Sequence, residues 1–555
     1  MIRNYLAVTL RRFTRQKTFT AINVIGLAIG LTSSILLGLF VRHEQSYDRY
    51  HPYADRTFRV VRTTTADDGT RDAQMKVSGA LGPVLRDEFP EVEEMVRLYR
   101  WDAWVVAGED AFDQMVCVAD EPFFNVFDVP MLAGNAEGAL RNPETVLLTE
   151  RSANRLFGSP AQAIGKRITL EARFWGDYTI VGVVKDLPST TTLYFDVLMF
   201  PVGAQNVGDH WTSWRPTGAR FIETFIVLRD ADASESMTDR MQDLFARHMG
   251  PEAVARNVYG LQPLLEVHLY SRRDYAIRRN LFSMQGSGYG SIAQVQTASL
   301  IAVFILVIAC VNFVNLSMAR AERRAREVGL RKVVGARRWQ IFGQLLGEAV
   351  MIALLSLVVA IGATQLLLPS FNASVGRSLS LWNEGPALLA SLAALAVGVG
   401  VCAGVYPALY LSSFQPARVL KVKGEARGRG ALLRRGLVVL QFGISIALIV
   451  ASLTASGQMR YMRRNLGFET ENIVVLPVFY IGNSSPIQGF GYELKGRYQE
   501  VKERFLRHPD VLAASTSRFY LQDYSIYGDL LVEAAATPYR TRMFPVDEDF
   551  FTCSG

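Results

Sequence analysis

Residues 18–41 read TFTAINVIGLAIGLTSSILLGLFV, an unbroken run without Asp, Glu, Lys or Arg. Crossing the hydrocarbon layer takes about 20 mostly apolar residues in a helix, because each backbone N–H and C=O must be paired within the segment. The run is too long for a signal-peptide core, and no small-residue cleavage site with a clean polar start follows it, so a retained anchor is predicted. Four more stretches meet the same test: 298–318 within the uncharged interval 280–319, 349–368, 386–411 and 436–459. A chain of 555 residues, half of them apolar and only 20% charged, is therefore expected to be an α-helical polytopic membrane protein with soluble blocks between its spans.

Short loops rich in Lys and Arg stay on the cytoplasmic side. Residues 1–17 hold Arg3, Arg11, Arg12, Arg15 and Lys17 without an acid, which predicts a cytoplasmic, amphipathic N-terminal segment. The segments 319–345 and 412–435 are similarly basic, while 369–385 holds only Arg377 and Glu384. Arg460, Arg463 and Arg464 follow the fifth span on the expected outer side, where long translocated domains largely escape the rule. The net charge of +7 thus sits beside the bilayer and points to anionic lipid or an acidic partner, not to nucleic acid. Four cysteines, Cys117, Cys310, Cys402 and Cys553, show no metal-ligand or CxxC spacing.

Residues 42–290 alternate strand-like runs, such as 101–107, 178–184 and 223–228, with a helix-like run at 234–248, so a mixed α/β extracytoplasmic domain is expected. The chain also repeats itself. Leu10-Arg11-Arg12-Phe13 precedes the first span as Leu433-Arg434-Arg435-Gly436 precedes the fifth. Phe89-Pro90-Glu91-Val92 returns as His508-Pro509-Asp510-Val511, and Asp120-Glu121-Pro122-Phe123-Phe124 as Asp547-Glu548-Asp549-Phe550-Phe551. Two copies of a helix and outer-domain unit are predicted, the second, 460–555, incomplete.

The strongest local signal runs from Arg320 to Ile341, RAERRAREVGLRKVVGARRWQI. Glu327 and Arg331 stand in the favourable i,i+4 order, and Gly335 offers a stop between two short amphipathic helices. Such a bend could dock in a partner's groove or simply anchor the chain by its arginines. The glycines of Gly26-x-x-x-Gly30 and Gly400-x-x-x-Gly404 allow close packing of the first and fourth spans.

The stretch Glu327-Val328-Gly329-Leu330-Arg331-Lys332-Val333-Val334-Gly335-Ala336-Arg337 resembles the signature loop of MacB/FtsX-type ABC transporter permeases. Asn23-Val24-Ile25-Gly26-Leu27-Ala28-Ile29-Gly30, the run from Glu44 to His51, and Leu156-Phe157-Gly158 with Ile164-Gly165-Lys166 are similar to that family's first helix and periplasmic core domain. Tyr406-Pro407-Ala408, with Pro416-Ala417, is similar to the exit of its fourth helix. The resemblance implies a permease in a bacterial inner membrane, with a separate ABC ATPase dimer seated on a coupling helix formed by Glu327, Gly329, Arg331, Lys332, Gly335, Ala336 and Arg337. It implies cargo such as a drug, peptide or lipoprotein, and leaves room for a periplasmic adaptor or outer-membrane protein. A signalling permease that relays motion to a cell-wall hydrolase or sensor kinase is the alternative.

No cofactor is expected in this chain. A P-loop wraps phosphates in the amides of Gly-x-x-x-x-Gly-Lys-Ser/Thr, but Pro160 stands where the first glycine of Gly165-Lys166-Arg167 would be, and the hydroxyl is missing. ATP-Mg is accordingly placed on the partner. The six histidines, His43, His51, His210, His248, His268 and His508, form no metal or catalytic spacing, so no enzyme activity is expected. The spans lack acids facing a pathway, although Glu348 begins the third near its boundary, which argues against ion coupling.

Overall fold

The structure is a computed structural model and describes residues 17–65, 71–75, 77–108, 110–136, 142–171, 176–200, 211–212, 214, 222–255, 257–275, 277, 289–319, 321–382, 385–413, 428–464, 473–474, 498–517, 526–530, 539–543 and 546–554. It divides into a membrane unit, residues 1–45 with 292–464, and an extramembrane unit, residues 46–291 with 465–555. The expected N-terminal amphipathic segment lies outside the described residues, as does most of the basic segment 412–435.

In chain order, α1 (Lys17–Gln45) leads to the extramembrane elements β1 (Thr57–Thr65), β2 (Arg71–Gln74), α2 (Leu81–Glu88), β3 (Val92–Ala107), β4 (Asp110–Ala119), α3 (Phe123–Val126), β5 (Met131–Gly134) and β6 (Thr145–Thr149). Next come α4 (Glu150–Phe157), α5 (Pro160–Ala163), β7 (Arg167–Glu171), β8 (Gly176–Val184), β9 (Val197–Met199), β10 (Ile222–Leu228), α6 (Ala233–Met249), α7 (Pro251–Ala255), β11 (Asn257–Pro263) and α8 (Leu264–Tyr270). The chain returns through α9 (Ile292–Ala319), α10 (Ala321–Val333), α11 (Arg338–Val375), α12 (Pro386–Ser412) and α13 (Gly428–Arg464), and ends in α14 (Tyr498–Leu506), β12 (Ile526–Leu530), β13 (Tyr539–Met543) and α15 (Phe550–Ser554).

Among the described residues five helices, α1, α9, α11, α12 and α13, are long and apolar enough to cross a membrane. Their apolar cores are the expected stretches, but the helices run past them, because helix continues until a backbone signal stops it. α11 passes through Pro369 to Val375, and α12 passes through Pro407 to Ser412, so neither proline ends its helix. Membrane helices tolerate proline where neighbouring groups take up the freed carbonyl. Small residues set the packing. A Cβ on Gly30 would stand 2.7 Å from Ala309 Cβ of α9, and one on Gly26 3.3 Å from Asn312 Nδ2. Gly400 and Gly404 face Val350 Cα and Ala349 Cβ of α11 at 2.7 and 2.6 Å in the same construction. Close backbones give van der Waals contact where no hydrophobic drive separates protein from lipid. Hydroxyls add polar ties, Thr32 Oγ1 donating to the Ala360 carbonyl at 3.4 Å and Ser34 Oγ to that of Ala302 at 3.2 Å.

In the extramembrane unit eleven described strands form one mixed sheet, with order β11-β1-β10-β3-β4-β9-β6-β8-β5, β2 beside β1, and β7 paired to both β3 and β8. Fully buried runs such as β6 (TVLLT) and β10 (IETFIVL) are mostly β-branched and apolar, as strands covered on both faces are, and the one charge, Glu223 of β10, is paired with Arg100. α6 buries Met237, Met241, Leu244 and Phe245 against a cluster that includes Phe58, Ile226 and Leu228, the i, i+4, i+7, i+8 stripe of an amphipathic helix.

The chain enters this unit through Ser46-Tyr47-Asp48, where Asp48 is held at φ +59°. Its N–H donates to the Thr190 carbonyl at 2.9 Å, and its carboxylate accepts from Thr192 N–H at 2.8 Å, Thr192 Oγ1 at 2.6 Å and Thr191 Oγ1 at 3.2 Å. Burial raises its pKa despite these donors. Nearby His51 accepts from the Asp128 N–H at 3.2 Å, and burial lowers its pKa to about 4.

The repeat is present in the backbone as well as in the letters. In the first copy Val92 N–H donates to Phe89 O at 3.0 Å, Arg97 N–H to Asp120 Oδ2 at 2.9 Å, and Asp120 N–H to Arg97 O at 3.2 Å. In the second, Val511 N–H donates to His508 O at 3.1 Å, Thr516 N–H to Asp547 Oδ2 at 3.0 Å, and Asp547 N–H to Thr516 O at 3.1 Å. The paired phenylalanines that follow are edge-to-face in both, at 5.3 Å for Phe123–Phe124 and 5.6 Å for Phe550–Phe551.

Candidate functional site

Of the two short helices expected in segment 319–345, the first and its stop at Gly335 are present, but the second is not a separate short helix. α10 ends at Val333, and the second helical stretch, from Arg338, is the start of α11, which continues for 38 residues. The reason is local: Gly343 and Gly347 keep helical backbone angles within α11, whereas Gly335 turns left-handed and stops α10. Gly335 sits at φ +99°, its N–H donates to Lys332 O at 3.1 Å, and Ala336 N–H donates to Arg331 O at 3.0 Å. These are the two bonds of a Schellman stop, which a residue with a Cβ enters at a cost of about 1–2 kcal/mol. Gln340, three residues into α11, accepts from the Arg337 N–H at 2.9 Å. Arginine has no acceptor to return the bond, so only this half of a capping box forms.

Around the turn the side chains divide. Leu330, Val333, Val334 and Trp339 are exposed, Val334 by 85% and Trp339 by 71%, while Val328 and Ile341 are buried. Trp339 lies edge-to-face on Phe342 at 5.6 Å. Gly329 is buried, Ala336 half-buried and Arg337 exposed. The turn therefore projects an apolar knob beside the exposed Arg337 and Arg338.

The polar residues face inward and fasten the turn. Arg331 donates to Glu327 Oε1 and to Gln344 Oε1, both at 2.8 Å, and Gln344 Nε2 donates to Glu348 Oε1 at 3.4 Å. Glu348, buried, meets Arg324 at 3.1 Å. Lys332 donates to the Ser412 carbonyl at the end of α12 at 2.7 Å, and its pKa lies below the ordinary value through burial and then the charge of Arg338. Exposed, the Glu327–Arg331 pair alone is worth about 0.3–0.5 kcal/mol. A cleft beside the Arg324–Glu348 pair is lined by Phe19, Phe313, Leu345 and Pro407.

Of the predicted site residues, Glu327, Arg331, Lys332, Gly335, Ala336 and Arg337 are gathered at this one turn, with Gly329 beneath it. Gly26, Gly30, Gly400 and Gly404 lie apart, in helix contacts. Arg324 and Gln344 were not expected as partners of the turn, and Glu44, named only within the run to His51, was not expected as a buried ion-pair acid. The i,i+4 spacing of Gln344 and Glu348 was the available signal. Glu44 is buried on the last turn of α1 and pairs with Arg377 Nε at 2.8 Å, so buried acids do occur in the spanning helices, at their ends. Gly165-Lys166 leads into β7, a strand, not the helix a phosphate loop opens.

Comparison with known proteins agrees with this layout. Residues 20–244 match the model of the MacB-like periplasmic core domain, and residues 299–416 match that of the FtsX-like permease C-terminal region. A protein of Pseudomonas entomophila named as a probable export ATP-binding/permease protein MacB is 22% identical over 72% of this chain and 56% of its own length. One of Pseudomonas syringae pv. tomato, named as a probable syringafactin export ATP-binding/permease protein, is 27% identical over 54% of this chain and 40% of its own. The chain thus spans about half the length of these relatives. The crystal structure of the periplasmic region of MacB from Actinobacillus actinomycetemcomitans is 15% identical over 38% of this chain and 90% of its own, with a TM-score of 0.27. With the two family models accounting for more than half of its length, in the order outer domain then spans, this membrane-embedded chain belongs to the MacB/FtsX-type ABC transporter permeases.

Proposed function

We propose that this chain is the permease subunit of an exporter in a bacterial inner membrane, with its N-terminus and the turn at Gly335 in the cytoplasm. A separate ABC ATPase dimer binds ATP-Mg and seats on that turn, and closure of the dimer moves the outer domain to export or extract an amphipathic cargo. The observation that carries the reading is the apolar knob of Leu330, Val333, Val334 and Trp339 at the Gly335 stop, tied to α11 and α12 by hydrogen bonds of Arg331 and Lys332. Exposed anchors on a rigid bend fit a groove in a partner, whereas arginines serving only as topology signals need no such shape. The relatives' names, which join ATP binding to export, support the same assignment.

Purification of the detergent-solubilised chain from its own cells tests this. An ABC ATPase is expected to follow the parent chain and to be lost with Gly335→Val, Arg331→Ala or Trp339→Ala. Retained capture by all three sinks the assignment of the turn. Growth with and without the gene, across toxic amphiphiles, then separates export from relay: unchanged survival with every compound favours the signalling alternative.

A further inference from the structure

Toward each end of α11 a buried carboxylate is paired with a partly exposed arginine. At the turn end Arg324 of α10 meets Glu348 at 3.1 Å, and the Gln344–Arg331–Glu327 chain runs back into α10. At the other end Arg377, just past Val375, donates to Glu44 on the last turn of α1, with His43 Nδ1 3.7 Å from the same carboxylate oxygen. Both carboxylates are almost fully covered, Glu348 at 5% and Glu44 at 2% exposed. At a rise of 1.5 Å per residue, Glu348 stands about 40 Å along α11 from Val375, beyond which Gly376 turns the chain to Arg377.

Stability does not explain them. Removing two charges from water costs about as much as their attraction returns, and an apolar pair of similar volume often does as well. What a buried pair supplies is register, since it can close in one arrangement only. Between the two pairs α11 is one continuous helix, and Pro369 removes a single hydrogen bond near its far end without ending it. α10 is further held to α12 through Lys332 and Ser412. α1, which the far pair grips, is the helix from which the chain passes at Ser46 into the extramembrane unit.

We infer that α11 acts as a push-rod: Arg324–Glu348 and Arg377–Glu44 are positioning pairs that pass displacement of the 334–337 turn along α11 to the outer end of α1. The inference rests on the function proposed above, and it adds a route. Load entering at the turn is not confined to α9, the helix that precedes α10 in the chain. It enters α11 through the backbone at Arg338, is locked to α10 by Arg324–Glu348 so that the two helices move together, and leaves through Arg377.

The test labels a cysteine at the end of α1. Gln45→Cys, at an exposed position, is introduced into the full chain purified with its ATPase, and maleimide labelling of that residue is followed by mass spectrometry with and without ATP and vanadate. In the parent the nucleotide is expected to change the labelling rate at least about fivefold, the low end of ordinary coupling. Glu348→Gln and Arg377→Gln are each expected to abolish the change while the ATPase remains bound, which also certifies that the variants fold. The exchanges Glu44→Arg with Arg377→Glu, and Arg324→Glu with Glu348→Arg, are expected to restore it. If the single variants respond like the parent, the push-rod falls and the proposed function stands. If the exchanges stay silent with ATPase bound, the pairs are structural and the inference is overturned. If the parent captures no ATPase or does not respond, both readings fall.

Discussion

Asp120 and Asp547 close the same backbone corner in the two copies of the repeat, yet their carboxylates face different partners. Asp120 takes Arg97 Nε at 2.7 Å, Arg97 Nη2 at 2.9 Å and Trp211 Nε1 at 2.8 Å, with the Arg97 guanidinium 4.8 Å from the Trp211 ring. Asp547 instead takes Lys502 Nζ at 3.0 Å and Ser515 Oγ at 2.6 Å, and Lys502 is shared with Asp549. A backbone N–H that donates to the following corner's carboxylate is a local device and is kept in both. The counter-charge differs: in the first copy it is the side chain of Arg97, the residue that also makes the backbone bond, and in the second it is Lys502 of the separate helix α14. The spans show a parallel contrast: more than half of the apolar window of α1 is buried by other helices, and none of that of α13 is, among the described residues.

Removing the carboxylates should give the largest difference. Asp120→Ala leaves a buried guanidinium without its counter-charge and is expected to cost about 3–5 kcal/mol, as broken buried pairs do. Asp547→Ala, with Asp549 still at hand for Lys502, should cost about 1–3 kcal/mol. Denaturant titration of the detergent-purified chain measures both, and equal losses would erase the distinction between the copies.

A pH dependence sharpens the comparison next, because the first copy carries a buried neutral imidazole. His51 takes its proton at about 4 in the folded state and near the ordinary histidine value when unfolded. The unfolded chain therefore binds the extra proton between these values. Stability of the first outer domain is whole above about pH 6.5 and is lost as pH falls toward 4, by up to about 3 kcal/mol. Thermal unfolding of the parent and His51→Gln across that window should show a shallower slope in the variant, the difference between them being the share of His51.

Smaller effects separate the spans. Gly30→Ala drives a methyl against Ala309 of α9 and should destabilise by about 1–3 kcal/mol. Gly443→Ala in α13 has nothing within 4 Å of the new Cβ and should gain up to about 1 kcal/mol from helix propensity. Unfolding in graded sodium dodecyl sulfate reads the pair, and a like sign at both would contradict the packing contrast. Smallest of all, Glu327→Gln removes an exposed i,i+4 pair and should shift the same curve by no more than about 0.5 kcal/mol.

Much of the architecture was legible in the letters. Hydropathy is a local sum, so five apolar runs announced five helices; the end of α10 was legible in Gly335, whose missing Cβ permits the left-handed turn. The site was legible only in outline. Glu327 and Arg331 could be paired by helical spacing, and the glycines assigned to close packing. The end of α12 was legible to within one residue, whereas that of α11 was not, because the apolar window stops before Pro369 and takes no account of the helix that continues past it to Val375.

By itself the amino-acid sequence determined the membrane class, the order of spans and outer domain, the repeat and the position of the turn. Each depends on residues close in the chain: windows of apolar surface, a glycine at a positive φ, short motifs recurring in order. Tertiary structure alone decided which charges meet. Glu44 and Arg377 are 333 positions apart, and Asp48 lies 144 from the Thr192 that holds it. No local pattern ranks such partners, because a buried charge is stabilised by whatever donor the fold brings within hydrogen-bond reach, and that proximity exists only after the helices and sheet have packed.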